Sequence, residues 1–141
     1  MKTVKAFKVK SKKLAGTNYS EVYRKAFGQY STIQKRNPRR RAHIRSAYFK
    51  KDKIFLSLFW QHLGDKHHKD RIRRLKCFPC ALELIRNSKF DPTSIENVDK
   101  KSEILHRFMG ITSENEVFFV QIKEIKRNGQ KYLISVFPLE K

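Results

Sequence analysis

The segment from Glu116 to Pro138, EVFFVQIKEIKRNGQKYLISVFP, constrains this chain more than any other. Two runs of β-branched and aromatic residues flank Asn128-Gly129, a dipeptide suited to a tight hairpin because both residues tolerate positive φ. EVFFVQIKEI therefore reads as a strand and KYLISVFP as its antiparallel partner, stopped by Pro138. Upstream, ILHRFMGI is rich in β-forming residues, and TSEN supplies a turn between it and the hairpin. The period of two begins only after residue 101.

The preceding residues carry helical spacing. Tyr19, Val22, Tyr23, Ala26, Phe27 and Tyr30 form an amphipathic stripe, with Asn18 and Glu21 at capping-box distance, predicting a helix over 19–33. Gly28 within it costs about 1 kcal/mol relative to alanine. Ile54, Phe55, Leu58, Phe59, His62 and Leu63 suggest a second helix, begun by Asp52 and ended by Gly64. DRIRRLKCF reads as a third. Pro79 either starts a further helix, PCALELIRNS, or kinks one already running. KFDPTSIENVDKK is polar, contains Pro92 and reads as loop.

Helices first and strands last predict an α+β fold: N-terminal helices followed by a C-terminal antiparallel β-meander of three or four strands, with the helices packed on one face. Residues 51–141 are expected to form a compact α+β domain, with helices in 53–88 and strands in 103–137. Residues 1–50 are expected to hold a mobile basic arm, the amphipathic helix and an Arg-rich linker, with a short strand at Val4–Val9 as the other option for the arm.

The formal charge is +20 in 141 residues. Residues 1–60 carry 17 Lys/Arg against 2 acids, whereas residues 101–141 carry 7 against 5. So large a charge repels itself in a compact chain and makes sense beside a polyanion. Arg36, Arg39, Arg40, Arg41, Arg45, Lys50, Lys51 and Lys53 are interleaved with Tyr48, and Arg71, Arg73 and Arg74 follow on the third helix. Guanidinium forks grip phosphate and aromatic rings stack on unpaired bases, so nucleic acid is the expected partner, RNA before DNA. No apolar run is long enough to span a membrane, and none has the length of a signal-peptide core. A cytoplasmic location with reduced thiols at Cys77 and Cys80 is expected. His67, His68, Cys77 and Cys80 could in principle ligate zinc, but buried packing of the cysteines is the expectation. No metal and no cofactor is assigned.

Strand alternation sorts the chemistry. Val117, Phe119, Gln121, Lys123 and Ile125 share one face of the middle strand, and Phe118, Val120, Ile122 and Glu124 share the core face. On the last strand Leu133, Ser135 and Phe137 are expected on one face and Tyr132, Ile134 and Val136 on the other. One face could thus gather Gln121, Lys123, Ser135 and either His106 or Arg107. Cutting RNA without metal needs a base, an acid and a cation for the crowded phosphorane, and these residue types can supply them. The same set also suits the wet face of any half-buried sheet. His62, on an apolar helix stripe, reads first as a satisfied core histidine.

This order of elements, IFLSLFWQHL and PCALELIRN followed by ILHRFMGI, EVFFVQIKEI and KYLISVFP, resembles the barnase–EndoU–colicin–RelE superfamily of small nucleases over roughly the last 80 residues. The resemblance implies a metal-independent, toxin-like ribonuclease in which His62 is the general acid/base, Arg107 and Lys123 hold phosphate and Ser135 orients it; His106 remains a catalytic candidate from its place on the first strand. It also implies an acidic, antitoxin-like protein partner. A non-catalytic nucleic-acid-binding protein, such as an accessory factor of a mobile element or ribonucleoprotein, is the alternative.

Overall fold

A computed structural model of the chain describes residues 5–39 and 41–139. Helix α1 (Tyr19–Arg36) begins where the Asn18 side chain accepts the Glu21 amide and ends before Pro38, burying Val22, Ala26, Tyr30 and Ile33. Strands β2 (His43–Arg45) and β3 (Lys53–Phe55) form a short hairpin. Helices α2 (Ser57–Leu63), α3 (His68–Lys76) and α4 (Phe78–Asn87) follow. Cys77 ends α3 and begins α4, so Pro79 sits in the first turn of a new helix at a sharp corner. Around Trp60, the rings of Tyr23, Phe27, Tyr30, Phe59 and Phe78 lie 5.2–5.5 Å away and lock α1 to α2 and α4.

Among the described residues, the expected meander of three or four strands is replaced by a mixed sheet of seven, curved into a half-barrel. Strands β5 (Glu103–Ile111), β6 (Val117–Ile125) and β7 (Lys131–Pro138) are its antiparallel centre. β1 (Phe7–Lys8) joins β5 in parallel, and β3 joins β7 in parallel through Ile54 and Phe55. β4 (Thr93–Glu96) pairs antiparallel with β5, in the stretch predicted as loop. The extra strands are two to four residues long, too short to show a periodicity. Lys53–Phe55 is strand rather than the start of the second helix. Ile54 and Leu56 alternate into the core, fully buried, and pairing with β2 and β7 outweighs the local helical spacing.

Residues 7–9 run along the sheet edge, and the chain then crosses to α4 and the end of α3. Val9 is buried and its amide bonds the Ile111 carbonyl, and the Leu14 amide bonds the Lys76 carbonyl. β1 lies inside the Val4–Val9 strand option, although residues 1–4 are outside the described residues. The helices cover the face that carries Phe118, Val120, Ile122, Leu133 and Val136, each at most 1% exposed. One core cluster draws residues from Val9 to Val136. No helix among the described residues is long and apolar enough to cross a membrane.

Candidate functional site

A bulge in β7 decides what reaches the open face of the sheet. Leu133 pairs with Ile122 and Ser135 with Gln121, leaving Ile134 as the extra residue. The expected alternation therefore breaks. Tyr132, Ser135 and Phe137 share the open face, opposite Lys123, Gln121 and Phe119, while Leu133 and Val136 enter the core. β5 places Arg107 and Met109 on the same open face and turns His106 to the other side.

β3 pairs with β7 only as far as Tyr132. Beyond that point α2 and α3 stand beside β7 instead. Between those helices and the open face lies a cleft of about 270 Å³. Its polar lining is His62, Lys66, Arg74, Arg107, Gln121 and Ser135, over an apolar floor that includes Phe59, Leu63 and Phe137. Arg74 donates to Ser135 Oγ at 2.6 Å and to Asp70 Oδ2 at 2.9 Å, which fixes its guanidinium beside the strand. Arg107 lies against a pair of neighbouring rings, 5.5 Å from Phe137 and 5.9 Å from Phe119. It has no carboxylate partner among the described residues, so its charge is available to an anion. The His62 ring stands exposed at the rim with no hydrogen-bond partner among the described residues. It is not a buried core histidine.

The structure thus brings His62, Arg107 and Ser135 together, with Arg74, named from sequence only as a phosphate contact. His106 and Lys123 lie elsewhere. His106 is 7% exposed on the helix side, its Nδ1 2.7 Å from Ser94 Oγ and its Nε2 2.7 Å from Glu124 Oε1. Lys123 is two residues along β6 from Gln121, 3.5 Å from the buried Glu103 carboxylate and over the Tyr132 ring.

The basic tract is spread over several surfaces. Arg41 lies 4.2 Å over Phe55 and 5.7 Å from Tyr132. Register puts Arg45 and Lys53 opposite one another on the same open face as Phe55 and Tyr132. A line of rings and cations therefore crosses the sheet from Arg41 through Phe55, Tyr132 and Lys123 toward the cleft. Lys50 and Lys51 sit in the β2–β3 turn with φ of 54° and 73°, left-handed for two consecutive lysines. The Ser46 carbonyl and hydroxyl hold that turn through the Lys51 and Phe49 amides. Arg36 and Arg39 are exposed at the end of α1, and Arg40 lies outside the described residues. Tyr48 packs edge-on against Phe49 and Phe108 and donates to Asp91, so its ring serves the core wall. Arg71 donates to the Lys66 and Gly64 carbonyls, closing the end of α2, and Arg73 pairs with Asp70.

Cys77 and Cys80 are buried, and burial pushes their thiols up to about 11 and about 12. No group of three or more potential metal ligands forms among the described residues. Sequence reasoning missed Lys66 as a cleft residue and the Arg41–Phe55–Tyr132 stack. Only the pairing of β3 with β7 reveals the latter. Comparison with protein-family models, curated proteins and solved structures finds no match to this chain.

Proposed function

We propose that the protein binds RNA across the open face of its sheet and cleaves it in the cleft without a metal ion. The observation that supports this reading is the meeting of an unpaired histidine, His62, with the Arg107 and Arg74 guanidinium groups in one cleft. His62 takes the proton of a ribose 2′-OH, and that oxygen attacks the adjacent phosphorus. The P–O5′ bond breaks, and the departing oxygen takes a proton from the Lys66 ammonium. The products are a 2′,3′-cyclic phosphate and a 5′-hydroxyl end. Arg107, with Arg74 braced on Ser135, compensates the charge that builds on the non-bridging oxygens.

The test is incubation of the full chain with total RNA in EDTA, beside His62→Ala and Arg107→Ala. Cleavage with cyclic-phosphate ends, reduced about 10²–10⁴-fold in His62→Ala while gel-shift binding persists, supports the reading. RNA that shifts but is never cut sinks the catalytic half of it.

A second reading has its own support. The line of rings and cations from Arg41 to Lys123 extends well away from the cleft, as a non-catalytic binding platform requires. Binding by that face should weaken steeply with salt, and Arg41→Ala should lower the slope of log affinity against log salt by about one. An acidic protein partner, if the chain has one, would compete with RNA for this same face.

A further inference from the structure

A second pocket, about 300 Å³, opens on the sheet face next to the cleft. Its walls are Ile95, Leu105, Met109 and Phe119, and only Thr93, Arg107 and Gln121 contribute polar atoms. Such an apolar hollow on the wet face of a +20 protein needs an explanation. Two facts bear on its occupant. The pocket shares Arg107 and Gln121 with the cleft, so the two adjoin across these side chains. The Gln121 carboxamide has no hydrogen-bond partner among the described residues, although it is half-buried. An amide in that state offers a donor and an acceptor to whatever enters.

The geometry points to an unpaired adenine of RNA as the occupant of this pocket, in the nucleotide whose phosphate lies at Arg107. The assignment rests on the RNA reading of the cleft above. Phe119 offers a ring for stacking, and Leu105, Met109 and Ile95 close around the edges of a purine. The donor and acceptor of one carboxamide match the N7 acceptor and N6 amino donor of adenine. Guanine presents two acceptors on that edge, and a pyrimidine covers less of the apolar wall. A base seated here would hold its own 5′-phosphate against Arg107 and the preceding sugar, which carries the attacking 2′-OH, toward His62, so the pocket would set where the chain is cut.

The test is methyl and side-chain amide NMR of the full chain, titrated separately with 5′-AMP, 5′-GMP, 5′-CMP, adenosine and ribose 5-phosphate. The expected result is that AMP moves the Met109 and Leu105 methyl signals and the Gln121 amide, and binds about 10-fold or more tighter than ribose 5-phosphate. Phe119→Ala is expected to remove that advantage. Gln121→Met, which keeps the size and loses both the donor and the acceptor, is expected to remove the preference for AMP over GMP. Thermal melts identify any variant that fails to fold, and the comparison of ligands on the unaltered chain stands without the variants. Equal binding of AMP and ribose 5-phosphate overturns the base pocket and leaves the phosphate cleft standing. Adenosine in the pocket with no response to ribose 5-phosphate supports the pocket and overturns the cleft. Tighter binding of CMP or GMP than AMP overturns the choice of adenine, and silence to every ligand overturns both readings.

Discussion

His106 and Arg107 are neighbours in the chain and opposites in the structure. His106 faces the helices, bonded on both ring nitrogens. Arg107 faces solvent beside two rings with no carboxylate partner among the described residues. The same contrast holds for the whole sheet. The helix side sets Phe118, Val120, Ile122, Leu133 and Val136 in a close-packed core, and the polar His106 on that side has both ring nitrogens bonded. The open side holds rings and cations at partial exposure, which adds little to folding and leaves bonding capacity for a ligand. Polar residues in a sheet are thus told apart by whether their partners are already present.

That contrast can be broken most severely on the open side. His62→Ala and Arg107→Ala should each reduce RNA cleavage by about 10²-fold or more, while stability changes by less than about 0.5 kcal/mol. Cleavage rates and denaturant melts on the same preparations check this. A large loss of stability in Arg107→Ala would show that the open face also holds the fold. On the helix side, His106→Ala should do the reverse. It leaves Ser94 and Glu124 without their partner and opens a cavity, costing about 3 kcal/mol. Cleavage per folded molecule should remain. If His106→Ala abolishes cleavage at unchanged stability, the division of labour between the faces is wrong.

Two glycines sharpen the same comparison through packing alone. A Cβ on Gly110 would meet the Phe118 ring at 2.4 Å and Leu84 Cδ1 at 2.8 Å, where β5 presses against the core. Gly110→Ala should cost about 1–3 kcal/mol. Gly28 lies exposed in α1 with nothing within 4 Å of a new Cβ. Gly28→Ala should stabilise by about 1 kcal/mol, through helix propensity. Urea midpoints with an unchanged slope would confirm both signs.

How much of this was legible in the sequence follows from the length of each element. The Asn128-Gly129 hairpin, α1 with its Asn18 cap and the core set Phe118, Val120 and Ile122 announce themselves, because each repeats its period several times. β1, β2, β3 and β4 do not. Two to four residues hold too few repeats, and β4 is exposed at every position. Parallel pairing of β3 with β7 depends on contacts some 80 residues apart, which no local pattern encodes. In the site, Ser135 was legible by alternation and Arg107 only as one of two options beside His106, and the Ile134 bulge shifts the register so that Tyr132 rather than Leu133 shares their face. The exposure of His62 was not legible, because its helix runs beside a free strand edge and keeps one flank wet.

The smallest expected effect lies at the edge where the two faces meet. Glu83 on α4 accepts the Lys10 amide at 2.7 Å, the Ser11 amide at 2.8 Å and the Ser11 hydroxyl at 2.6 Å, fastening residues 10 and 11 beside the sheet. Partial burial alone would push its carboxyl up. The Ser11 hydroxyl, the two amides and the Lys10 charge outweigh that and hold it below the ordinary value of 4.5. A depressed carboxyl gives stability that is fully present above the unfolded pKa and lost as pH falls through the folded one. Because the group is largely solvated, the effect should stay under about 1 kcal/mol. Hydrogen exchange at the Lys10 and Ser11 amides should therefore quicken as pH drops below 4.5, after correction for intrinsic rates, while the β6 amides stay protected. Glu83→Gln should show the faster exchange already at neutral pH and lose the acid step. An acid step that survives in Glu83→Gln would assign the edge to other groups, with Lys13 of the same segment and Glu116 of the β5–β6 turn, 2.8 Å apart, the next pair to test.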